Sequence, residues 1–117
     1  NSGIASVAGN QITLEAGTYK ARVSAPAYRV DGHRVRLRNI TAGATLLNGS
    51  QGYTPSAADS TMSISEAMGT FTLAVQSVLE VQHWCNTTRA TDGFGIAVNI
   101  DSVVEIYTVA QFERVLT

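Results

Sequence analysis

The chain has 117 residues, of which 44% are apolar and 15% charged, with a formal net charge of −1. That length suits a single domain, residues 1–117, burying about two-thirds of its unfolded surface, so folding requires neither a disulfide nor a metal. The near-neutral charge offers no bulk attraction for nucleic acid or an anionic membrane, no apolar run approaches the roughly 20 residues of a membrane helix, and one cysteine excludes an internal disulfide.

Along the chain, residues 1–10 read as a linker or fragment start. The opening Asn-Ser-Gly-Ile-Ala-Ser lacks the charged and apolar regions of a signal peptide, which makes the chain a cut-out domain or a mature fragment. Strands are expected at 11–15, 18–25, 33–39, 44–48, 61–66, 69–83, 93–100 and 104–115. The first long run places Tyr19, Ala21, Val23 and Ala25 on one side and Lys20, Arg22 and Ser24 on the other. The next alternates Val35 and Leu37 with Arg34, Arg36 and Arg38. Asp31-Gly32 between them suits a two-residue turn with positive φ, so the two runs are expected to form a hairpin in which Val30 faces His33. Residues 49–60, rich in Gly, Ser, Pro and Asp, read as a long loop. The stretch 71–84 has residues at ease in a helix, but Phe71, Leu73, Val75, Leu79, Val81 and Cys85 share one parity, which decides for strand. That parity makes Cys85 a buried, inert thiol. Short strands with regular turn signals give an all-β fold, an antiparallel sandwich or barrel.

A charged fraction of 15% is low for a small monomer and suggests surface covered by other subunits. Phe94, Ile96, Val98 and Ile100 form an apolar face whose reverse, Gly95, Ala97 and Asn99, is small enough for close approach by another layer or chain, or for a plain solvent face.

Several motifs in order, G-T-Y at 17–19, S-A-P-A-Y at 24–28, H-R-V-R-L-R-N at 33–39, L-L-N-G at 46–49, G-T-F-T-L at 69–73, V-Q-H at 81–83 and F-G-I-A-V-N at 94–99, resemble the C-terminal module of bacteriophage tail fibres and tailspikes, similar to the C1q and tumour-necrosis-factor jelly roll. The resemblance spans about residues 12–115. It implies an antiparallel jelly-roll sandwich of about ten strands, assembled as a homotrimer at the C-terminal end of a fibrous virion protein. In many relatives it also implies recognition of a host-surface glycan, a bacterial surface polysaccharide or lipopolysaccharide. A carbohydrate-binding module appended to a polysaccharide-degrading enzyme, and a C1q-like protein-interaction domain, are the competing readings.

The arginine row raises its own question, because Arg34, Arg36 and Arg38 share a face and Lys20 and Arg22 are expected on a neighbouring strand. Like charges side by side on a sheet are unfavourable, so acids should offset them, with Glu15, Glu80 and Glu105 as candidates. The row reads as a solvated or salt-bridged face, an intersubunit network, or a surface for acidic polysaccharide. For glycan binding the chemistry is an aromatic platform beside polar groups. Trp84, Tyr53, Tyr28 and Tyr107 are the candidate platforms. Arg89 and Asp92, with Asn86, Thr87 and Thr88, supply polar groups near Trp84, which alternatively packs in an interface or under the loop that follows it.

No catalytic motif is evident. His33 and His83 are the only histidines, so a Ser-His or Cys-His arrangement would have to form between distant strands. His83 and Cys85 share a face but fall short of a zinc ligand set. No cofactor or metal is expected, and any depolymerase activity is assigned to an upstream domain. The Asn-X-Ser/Thr triplets at Asn39, Asn48 and Asn86 are expected from composition alone.

Overall fold

The computed structural model describes residues 5–8, 11–89, 93–95 and 107–115. These residues form nine strands and no helix: β1 (Ala5–Ala8), β2 (Gln11–Leu14), β3 (Gly17–Ala27), β4 (Asp31–Asn39), β5 (Ala44–Asn48), β6 (Gly52–Thr54), β7 (Ser63–Leu73), β8 (Ser77–Cys85) and β9 (Val109–Val115). All pairings are antiparallel. One sheet runs β1-β2-β8-β4-β5 with β6 also on β4, and the other runs β7-β3-β9.

Alternation explains both layers. On β3, Tyr19, Val23 and Ala25 are fully buried while Lys20 and Arg22 face water. On β4, Val35 and Leu37 are fully buried beneath the outward arginines. These inner faces meet Leu14, Leu47, Ala67, Phe71, Leu73 and Leu79 in one core drawn from both sheets. Each large apolar side chain removed from water there contributes roughly 1.5–3 kcal/mol. Tyr19 stacks on Phe71 at 5.8 Å, and its hydroxyl donates to the Glu15 carbonyl at 2.8 Å, so the ring is buried without an orphaned polar atom.

The expected hairpin between β3 and β4 does not form, because the two strands lie in different sheets. Left-handed φ values at Arg29 (58°) and Asp31 (62°) turn the chain across the core instead. The Val30 carbonyl then accepts from the Thr87 amide, not from a hairpin partner. Pro26 lies within β3 rather than at a kink, beyond the last β9 pair, Ser24 with Val109. The break expected after residue 66 is also absent. β7 runs through Gly69, whose missing side chain admits Leu47, since a Cβ there would lie 2.8 Å from Leu47 Cδ2. The chain reverses at 74–76, where Val75 is exposed. Of the last two expected strands, 96–100 and 104–106 lie outside the described residues, and β9 accounts for the end of the second. β1 falls within the stretch read as a linker.

The 49–60 segment is no plain loop. β5 and β6 pair with successive parts of β4, Arg36–Asn39 and Asp31–His33, as one strand interrupted at 49–51. At that interruption Ser50 leaves the first sheet and joins the second. Its amide donates to the Glu66 carbonyl at 2.9 Å, and its hydroxyl accepts from the Glu66 amide at 3.1 Å. The ladder donor left behind, the Val35 amide, donates to the hydroxyl of fully buried Ser65 at 2.9 Å, and that hydroxyl donates onward to the Ser50 carbonyl at 2.6 Å. Gly49 is required beside it, as a Cβ would lie 2.5 Å from the Val35 carbonyl oxygen and 2.8 Å from Ser65 Oγ.

Replacing Ser65 by Ala orphans a buried amide and a carbonyl while changing almost no volume. The expected loss is roughly 2–4 kcal/mol, read as a lower midpoint in urea unfolding, and an unchanged midpoint would refute the bridging role.

Candidate functional site

The outer face of the six-stranded sheet is built from the residues that alternate with the core. β4 contributes Gly32, Arg34, Arg36 and Arg38, and β8 contributes Asn86 just past its end, then Trp84, Gln82 and Glu80. Register sets Arg34 opposite Trp84, Arg36 opposite Gln82 and Arg38 opposite Glu80. On the other side of β4, Tyr53 lies opposite Gly32 and Asn48 opposite Arg36. Trp84 and Tyr53 are 62% and 64% exposed, and they flank β4 from opposite sides. Two inter-strand spacings of about 4.8 Å put them roughly 10 Å apart across the sheet.

Between the two rings the floor is Gly32. A Cβ there would lie 2.3 Å from Asn86 Oδ1, so the absence of a side chain lets Asn86 lie down over the strand. Gly32, Arg34, Gln51, Gly52, Trp84 and Asn86, with His33 and Cys85, line a shallow depression of about 270 Å³ that Trp84 borders and Tyr53 does not. Each wall is held in place. The Arg36 guanidinium lies 4.2 Å over the Trp84 ring, and its Nε donates to Gln82 Oε1 at 2.7 Å. Arg34 Nε donates to the Gly49 carbonyl at 2.6 Å. The Tyr53 hydroxyl donates to Asp31 Oδ1 at 3.3 Å, a carboxylate that also accepts from the Thr87 hydroxyl and, at 3.2 Å, from the Ser56 amide. The Thr87 bond above all holds the Asp31 carboxyl below the usual range, with the Ser56 and Tyr53 bonds adding to it against the opposing effect of burial.

The structure therefore joins Trp84, Tyr53, Arg34 and Arg36 on one surface, and adds Gly32, Gln51 and Asp31, which sequence reasoning did not assign to it. The Asp31-Gly32 pair was visible as a turn signal; its use as anchor and floor was not. The other candidates lie elsewhere. Tyr28 is only 8% exposed, with the Arg89 guanidinium 5.6 Å from its ring, so it is no platform. Exposed Tyr107 lines, with Arg89, Cys85, Phe94 and Gly95, a separate cavity of about 530 Å³. Cys85 is half-buried rather than buried, because β8 runs out of the core at its end. Phe94 is exposed, while Asp92 and residues 96–100 lie outside the described residues.

The charge expectations also shift. Lys20 and Arg22 belong to the opposite sheet and cannot border the arginine row, and Arg22 pairs with Glu66 at 2.7 Å. Glu80 accepts from Gln11 and Gln82, Glu15 accepts from Gln76, and Glu105 is outside the described residues.

Beneath the platform, His33 and His83 do meet. His33 Nδ1 is 2.8 Å from His83 Nε2, and His33 Nε2 is 2.8 Å from Ser63 Oγ. With both rings neutral, the Ser63 hydroxyl donates to His33 Nε2 and the His33 Nδ1–H donates to His83 Nε2. The relay ties β7, β4 and β8 together. Buried His33 is further shielded by Gly52, where a Cβ would lie 2.4 Å from Nε2 and 2.8 Å from Ser63 Oγ, so the contact is a structural tie. His83 stacks on Phe94 at 4.7 Å. Burial first, and then the neighbouring His33, push His83 down to about 4, and burial lowers His33 as well. Among the described residues no group of three His, Cys, Asp or Glu side chains could hold a metal ion.

No protein-family model matches this chain, and no curated protein matches it either.

Since the fold holds both imidazoles neutral and the unfolded chain protonates them near 6.5, their contribution is complete above about pH 6.5 and is lost as pH falls below it, for His83 down to about 4. For His83 the unfolding constant should rise about tenfold per pH unit across that window, and His33 adds in the same direction. His83→Gln should flatten the profile, and an equally steep one in that variant would exclude the pair as its source.

Proposed function

We propose that this chain is a glycan-binding module of a trimeric fibre, the C-terminal part of a phage tail fibre or tailspike, with its ligand surface around Trp84 and Tyr53. The observation that carries the binding role is the pair of exposed aromatic rings on one sheet face, on either side of Gly32 and the Asn86 side chain that lies over it. Exposed rings offer an apolar face to a sugar ring, while Asn86, Gln51 and the arginines offer hydrogen bonds to its hydroxyls. Both rings stand on strands or against a fixed carboxylate, so little ordering entropy is lost on binding.

The jelly-roll connectivity belongs to the same proposal. It is supported by the way the chain changes sheets between β3 and β4, between β6 and β7, and between β7 and β8. Trimer formation is supported by the low charge and by the outer face of the three-stranded sheet, where exposed Ile64 and Met68 flank the Arg22–Glu66 pair. In this reading the module binds and assembles, and cleavage of polysaccharide is the work of another domain.

Light scattering coupled to size exclusion over a hundredfold concentration range should give the mass of three chains; a monomer throughout would remove the assembly role. Trp84→Ala and Tyr53→Ala should each weaken binding to host surface polysaccharide about tenfold or more, with melting unchanged within about 0.5 kcal/mol, as for exposed positions. Full affinity in both variants would move the site elsewhere.

A further inference from the structure

The arginine row forms no ion pair among the described residues. Among the described residues no carboxylate lies within ion-pair distance of Arg34, Arg36 or Arg38, and the one ion pair is Arg22–Glu66 on the opposite sheet. The carboxylates nearest the row are engaged by neutral donors instead: Asp31 by Tyr53, Thr87 and Ser56, and Glu80 by Gln11 and Gln82. Three cations at two-residue spacing repel one another, and the one acid set opposite the row, Glu80 across from Arg38, makes no ion pair with it and leaves Arg34 and Arg36 without an acid opposite them.

The three arginines are not equivalent. Arg38 is tied down through both Nη atoms, to the Thr45 hydroxyl at 3.0 Å and to the Gly43 carbonyl at 2.9 Å. Arg34 and Arg36 are each anchored through Nε alone, to the Gly49 carbonyl and to Gln82 Oε1. Their Nη groups have no hydrogen-bond partner among the described residues. An arginine fixed at Nε with both Nη groups open presents a planar, pre-positioned fork, and a planar carboxylate matches it with two parallel hydrogen bonds. The Arg36 guanidinium also lies over Trp84, which stands opposite Arg34 in register, so ring and cations form one block.

We infer that the Trp84–Tyr53 platform selects acidic sugars, taking the carboxylate of a uronic or related sugar acid on Arg34 and Arg36 while the sugar ring rests against Trp84. This rests on the glycan-binding reading above and names its ligand class. Asn86 and Gln51 then meet the hydroxyls, and the neutral sugars of a repeating unit extend toward Tyr53.

The test uses the 117-residue chain and three matched probes: an oligouronate, the same oligomer with its carboxyl groups reduced to alcohols, and a phosphorylated oligosaccharide of similar length. The oligouronate should bind about tenfold or more tighter than its reduced form, with a preference that shrinks as salt is raised. Arg34→Gln and Arg36→Gln should erase that preference while keeping the weaker binding of the reduced oligomer, and Trp84→Ala should weaken both. Because these positions are outward-facing, circular dichroism and melting should match the parent chain. Equal affinity for the acidic and reduced oligomers would overturn the carboxylate assignment and leave the platform standing. Preference for the phosphorylated probe would overturn it in favour of a phosphate ligand. Failure of all three probes to bind would overturn the assignment together with the platform it rests on.

Discussion

One buried hydroxyl sets the geometry on which the outer surface depends. Where the chain between β5 and β6 abandons the edge of β4, the Ser65 hydroxyl from the other sheet accepts from the freed Val35 amide and donates to the Ser50 carbonyl. In a low-dielectric interior an unpartnered amide costs more than the bond itself returns, so the detour exists only because Ser65 is there to meet it. The detour has three consequences. It presents the Gly49 carbonyl that anchors Arg34, it brings Gly52 close enough to cover His33, and it delivers Tyr53 beside Gly32. The outer face of β4 and the core are thus joined through one strand interruption.

The two faces of β4 and β8 are coupled by adjacency as well. His33 precedes Arg34 and His83 precedes Trp84, so the histidine pair inside and the Arg34–Trp84 pair outside hang from the same two backbone segments. The inner pair is packed between Ser63 and Phe94. With those segments clamped from within, the outer side chains inherit a fixed spacing. Binding surfaces carried on strands keep such spacings better than loops do.

Much of this was legible in the residues, and what was missed shares a cause. Two-residue alternation placed Tyr19, Val23, Val35 and Leu37 inside, set the arginines on one face and turned Trp84 outward, because side-chain direction along a strand is local. Partnership is not local. The runs on either side of Asp31-Gly32 alternate in the same way whether they pair as a hairpin or face each other across a core, and only the fold shows the second arrangement. The break expected between 66 and 69 has the same origin, because a glycine at a turn and a glycine beneath Leu47 are the same letter. The His33–His83 contact was hidden for the same reason, joining residues fifty positions apart whose meeting depends on β8 lying beside β4. Of the acids proposed for the arginines, Glu105 lies outside the described residues, Glu80 stands opposite Arg38 but accepts from Gln11 and Gln82, and Glu15 accepts from Gln76.

The asparagine lying over Gly32 makes the surface easy to retune. Its side chain occupies space that the strand below leaves empty, and its backbone amide bonds to the Gly32 carbonyl whatever the side chain is. Position 86 can therefore exchange one short polar side chain for another, deepening or filling the depression beside Trp84, without disturbing a ladder bond or a core contact. The shape of this outer surface can thus change through a single codon, while the arginines and the tryptophan stay where the strands put them.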